Sequence, residues 1–85
     1  MEAEIRGNQL TGNFPNFGFE ADAFDSTTHC LAITGNTTDR FVFSQFGPSV
    51  LRVEDFANLA ATNIAGTAAV EDGAVTSTAV GACGF

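Results

Sequence analysis

His29 is the one histidine of this 85-residue chain and Cys30 follows it directly, so the first chemistry to test is a Cys-His nucleophilic pair or a shared metal site. Residues 27 to 33 carry the pattern of a strand, on which neighbouring side chains point to opposite faces. His29 and Cys30 then cannot converge on one substrate or one metal. A zinc site needs about four ligands, and His29, Cys30 and Cys83 with one carboxylate show no Cys-x-x-Cys spacing. The expectation is therefore no catalytic residue, no metal and no cofactor. Cys30 and Cys83 are instead candidates for a disulfide, within the chain or between chains. Within the chain, a bridge of this separation contributes roughly 4 kcal/mol in the chain-entropy description.

The carboxylates are read in the same way. Glu20, Asp22 and Asp25 lie close enough in sequence to gather a hard cation, but no EF-hand loop surrounds them and they read as a surface acidic patch. Glu54-Asp55 reads as a helix start and Glu71-Asp72 as a turn. Asn36-Thr37-Thr38 matches a glycosylation sequon, which carries weight only behind a secretory leader. The chain has no Gly-rich phosphate loop, no Gly-x-Ser-x-Gly elbow, and no Trp or Tyr for a sugar platform.

Ten acidic residues face only Arg6, Arg40 and Arg52, a net charge of -7, so no basic patch is available to neutralise phosphates and nucleic acid is excluded as a direct partner. The opposite idea, an acidic module that mimics nucleic acid, needs a denser carboxylate coat than 15% charged residues supply. Met1-Glu2-Ala3-Glu4-Ile5 has neither a basic nor an apolar leader segment. No apolar run reaches the roughly 20 residues of a membrane helix. Synthesis in a cytoplasm and no membrane partner are expected.

Residues 2 to 6 alternate as a half-buried strand, with Ala3 and Ile5 on one face. Further strands are expected from Phe17 to Ala23 (with a short helix over 19 to 25 as the competing reading), over 27 to 33, 40 to 46 and 49 to 53, and in two runs flanking Asp72-Gly73. Gly-Asn at 7-8, 12-13 and 35-36 reads as loop or hairpin corners rather than a true repeat, with 34 to 39 as a hairpin loop. Asp72-Gly73 reads as a closing hairpin. Val53, Phe56, Ala57, Ala60 and Ile64 share a helical face ending at Gly66. The fold expected is one domain over 1-85, α+β and β-rich, a small antiparallel sheet or barrel of about five to six strands with one helix.

Nine phenylalanines, with no Tyr or Trp, exceed what one core of this size buries well. Arg40 to Phe46 is apolar on both faces, with Phe41 and Phe43 on one and Val42 and Phe46 on the other. Such a strand needs cover on both sides. Phe41, Phe43 and Phe46, with Phe14, Phe17 and Phe85, are the candidate interface residues.

In general character the whole chain resembles the small virion structural proteins of tailed phages, above all capsid decoration or cement proteins: short, leaderless, rich in Ala, Gly and Thr, β-rich and low in charge. No motif carries the resemblance and no residue role transfers with it. It implies a non-enzymatic subunit in the virion, made in the host cytoplasm, whose partners are a larger protein scaffold and copies of itself. The alternatives are an acidic protein-binding module mimicking nucleic acid, and a head-tail or filament subunit. An enzyme would need a pocket with convergent polar groups.

Overall fold

The computed structural model describes residues 1-7, 9-10 and 19-85. In chain order the elements are β1 (Glu2–Arg6), β2 (Gln9–Leu10), β3 (Phe19–Ala23), β4 (Thr28–Thr34), β5 (Thr37–Gln45), β6 (Val50–Glu54), a 3-10 turn at Phe56–Asn58, the single helical turn α1 (Leu59–Thr62), β7 (Ile64–Asp72) and β8 (Thr76–Thr78). One sheet runs β1-β4-β6-β8, and the other runs β2-β5-β3 with β7 also on β5. Every pairing among the described residues is parallel.

The order of these strands decides the architecture. The chain alternates between the two sheets, and each return lays a strand beside its counterpart one circuit earlier. The path is a solenoid, in which each circuit packs on its neighbours. Side chains that point inward stack in columns along it. Ala3, Leu31, Val53 and Ser77 form one column. Ala21, Phe43 and Val70 form another, and Phe19, Phe41 and Ala68 a third. Leu31, Ile33, Leu51 and Val53 from the first sheet meet Ala23, Phe41 and Phe43 from the second, closed by Leu59. Phe41 packs edge-on against Phe19 and Phe43 against Phe56, each at 5.4 Å, an arrangement that favours aromatic pairs. Full burial of each such ring contributes about 2 to 3 kcal/mol.

Two columns of left-handed corners turn the chain between sheets. Gly7 (φ 72°) and Gly35 (φ 67°) occupy one corner in successive circuits, and Asp25 (φ 59°), Gly47 (φ 61°) and Gly73 (φ 68°) occupy the other. The peptide N–H of Gly7 donates to Thr34 and that of Gly35 to Thr62, at 3.2 and 2.9 Å, so the same bond recurs one circuit on.

These observations correct the expected fold. Among the described residues the sheets are parallel, not antiparallel, and no barrel closes, because Thr34-Gly35-Asn36 and Asp72-Gly73 redirect the chain into the other sheet instead of folding it back on its neighbour. A residue pair that accepts positive φ specifies a sharp turn, but not where the following strand pairs. Gly7 and Gly35 accordingly mark a repeat of the corner, while Asn8 and Gly12-Asn13 lie outside the described residues. Of the expected helix only Leu59–Thr62 is α-helical. Val53 belongs to β6 and Ile64 and Gly66 to β7, and Asp55, left-handed at φ 50°, breaks the run between them.

Candidate functional site

Three surfaces of the solenoid carry chemistry or exposed apolar groups. The first is the outer face of the β1-β4-β6-β8 sheet. There Cys30 stands in register with Glu2 and Arg52, pointing away from the core. It is nonetheless buried, because the C-terminal segment crosses this face and Cys83 bonds to it, with Cα atoms 5.5 Å apart and a sequence separation of 53. Glu54 ties down the same segment. One of its carboxylate oxygens accepts from the Gly81 N–H and the other from the Cys83 N–H, each at 2.8 Å. The disulfide is therefore within the chain.

The second surface is the end of the solenoid at β1 and β3. A cavity of about 300 Å³ opens there between the sheets, lined by Ala3, Ile5, Phe19, Ala21, His29 and Leu31 among others. His29 thus points into the interior while Cys30, its neighbour, points out. The Nδ1 atom of His29 is buried and has no hydrogen-bond partner among the described residues. Among the described residues no group of three or more His, Cys, Asp or Glu could hold a metal ion.

The third surface is the corner after β3 and β5. Phe24 and Phe46, one circuit apart, stack with rings 4.9 Å apart and 4° from parallel. They remain 52% and 37% exposed. The backbone below them is firmly held. Gln45 donates to the carbonyls of Gly47 and Ser49 at 2.7 and 2.9 Å and accepts from the Ala74 N–H at 3.1 Å, while Ser49 Oγ lies 3.0 Å from the Ala23 carbonyl. Three circuits are linked at this corner.

The candidate interface residues divide accordingly. Phe41 and Phe43 are fully enclosed by the chain's own core and cannot meet a second chain. Phe46 and Phe85 are on the surface, and Phe14 and Phe17 lie outside the described residues. Of the apolar residues of Arg40 to Phe46, Phe41 and Phe43 lie in the core, Val42 on the opposite face of β5 is buried too, and Phe46 lies beyond the end of the strand on the surface. Phe24 escaped the sequence reading. Its spacing from Phe46 repeats that of Phe19 from Phe41, which would have revealed it had the circuit length been recognised.

The carboxylates do not form one row. Glu20 and Asp22 are exposed on β3, Glu54 holds the C-terminal segment on the other sheet, and Glu71 pairs with Arg40 at 3.3 Å. Asp55 accepts a hydrogen bond from Asn58. No family model, curated protein or solved structure matches the chain.

Proposed function

We propose that the chain is a non-enzymatic structural subunit that docks on a larger protein scaffold, with decoration of a virion shell as its setting. The observation that carries this reading is the exposed Phe24–Phe46 stack on a corner whose backbone is fixed by Gln45 and Ser49. Two large rings held open to water on a rigid support offer apolar area without the ordering cost that a mobile segment would add on binding. Exposed Phe85 and Val80 extend the apolar surface of the strapped C-terminal segment. With net charge -7 and few cations, attachment rests on apolar burial more than on ion pairs. The dispersal of the carboxylates over both sheets weighs against a nucleic-acid mimic, which needs them aligned.

Particles that co-purify with the protein from its source provide the test. The subunit should stay attached at about 1 M salt, where the Debye length is about 3 Å, and come off in mild denaturant. Stripped particles should melt at a lower temperature than coated ones, and a Phe24→Ser, Phe46→Ser double variant should fail to rebind. Release by salt alone, or identical melting of stripped and coated particles, would overturn the reading.

A further inference from the structure

The two ends of the solenoid are complementary to one another. At one end β1 and β3, and at the other β7 and β8, pair on one side only among the described residues. An unpaired strand edge is a template for another strand. Natural edges are commonly guarded by charged side chains, above all Lys, or by Pro; none of these four strands contains Lys or Pro, β8 and β7 as far as Val70 carry no charge, and β1 and β3 carry charges only at Glu2, Glu4, Arg6, Glu20 and Asp22. The nine residues of β7 form the longest of these open edges.

We infer that a second copy of this chain docks head to tail on the first, with β7 and β8 of one copy against β3 and β1 of the next. Because all strands run in the same direction, a translated copy continues both sheets with the polarity they already have. An isologous, two-fold contact of the same edges would instead make antiparallel pairs. The inward columns continue across the joint: Val70 meets Ala21 of the next copy and Ser77 meets its Ala3, each repeating a relation already present between circuits. The side chains match as well. Val70, 39% exposed at one end, faces the cavity at the other, which Ala3, Ile5, Phe19 and Ala21 line together with Glu20, Asp22 and His29.

Charge opposes the joint at long range. Each copy carries -7, and the outward column Asp22, Ser44, Asp72 brings Asp72 near Asp22 of the next copy. Added salt should therefore strengthen self-association, by screening the repulsion. The contact is heterologous, so it propagates into linear chains of subunits. This inference does not depend on the scaffold reading: copies could stack without any scaffold, and a scaffold could bind single copies.

Sedimentation equilibrium on the full oxidised chain, from about 10 µM to about 1 mM, covers the range of weak protein association. The weight-average mass should rise with concentration, and rise further in about 0.5 M salt, where the Debye length is only a few ångström. Val70→Lys blocks one end and Ala21→Lys the other, each Lys being able to reach solvent from an edge strand. Either variant alone should be monomeric, whereas an equimolar mixture should form a dimer and stop there, since one intact head and one intact tail remain. Hydrogen exchange on the unmodified protein gives a reading that needs no variant: backbone amides of β3 and β7 should gain protection on concentration, and those around Phe24 and Phe46 should not. A monomer throughout the range, equal association of the single variants and the unmodified chain, or a well-folded mixture that stays monomeric overturns the proposal.

Discussion

Asn63 is buried, and its side chain shows how one residue can fix the register of three circuits. Its amide N–H groups donate to the carbonyls of Ile33 and Leu59 at 3.0 and 2.9 Å, while its oxygen accepts from the backbone and side-chain amides of Asn36 at 2.9 and 3.0 Å. Asn36 in turn donates to the Ile5 carbonyl at 3.0 Å, the same bond one circuit earlier. A slip of one circuit by a single residue would strand these groups away from water. Asn63→Ala should lower stability by about 3 kcal/mol, since each buried group left unpaired costs about 1 to 3 kcal/mol, read as a fall in the urea midpoint. Gly73 permits a second test. A Cβ there would overlap the Gln45 carbonyl, whereas at Gly81, also left-handed, a Cβ would meet no atom of the described residues beyond its chain neighbours within 4 Å. Gly73→Ala should cost clearly more than the roughly 1 to 2 kcal/mol of the left-handed backbone, and Gly81→Ala no more than that. Equal losses would show that strain, not the contact with Gln45, sets the requirement for glycine.

The C-terminal segment is the element whose attachment is most open to experiment. It crosses the outer face of a sheet and is held by the Cys30–Cys83 bond and by both oxygens of Glu54. The double variant Cys30→Ala, Cys83→Ala removes a link across 53 residues. It should lower the unfolding free energy by about 4 kcal/mol in the chain-entropy description, read by denaturant titration against the oxidised protein. Glu54→Gln should leave the disulfide and the core in place but weaken acceptance from the Gly81 and Cys83 amides, because a hydrogen bond to an ionised group is about twice as strong as a neutral one. Exchange of those two amides should quicken while the amides of β4 and β5 keep their rates. Unchanged exchange at Gly81 and Cys83 would mean that the disulfide alone holds the segment.

At the scale of the molecule the strands of each circuit pair only with those of the circuits beside it, and among the described residues the Cys30–Cys83 bond is the one link that skips a circuit, so stability should fall towards the ends. Backbone amides of β4, β5 and β6, paired or packed on both sides, should exchange slowest, and those of β1, β3 and β8 should exchange first. A uniform protection profile would show that the strap from Cys83 to Cys30 makes unfolding all-or-none along the whole axis.

The local pattern of the sequence determined the strands and their faces. Ala3 and Ile5 alternate with charged residues and point inward as that alternation requires, and Phe19, Ala21 and Ala23 do the same on β3. Their period of two is a property of the strand itself. What the pattern could not carry was the partner of each strand. Gly35-Asn36 and Asp72-Gly73 encode a change of direction equally well in a hairpin and at a solenoid corner, and only the pairing of residues some 22 to 28 positions apart, seen in Phe19 with Phe41 and Glu2 with Cys30, separates the two. The two-sided apolar character of β5 was legible. That Phe41 and Phe43 would fill this chain's own interior, and Phe46 stack on Phe24 outside it, was decided by the other sheet closing over one face of β5 and by the strand ending at Gln45, which leaves Phe46 at the corner. Likewise the cysteines announced a possible bond, but its closure within the chain depended on the C-terminal segment returning across β6 to β4, a contact of the folded path that no local spacing records.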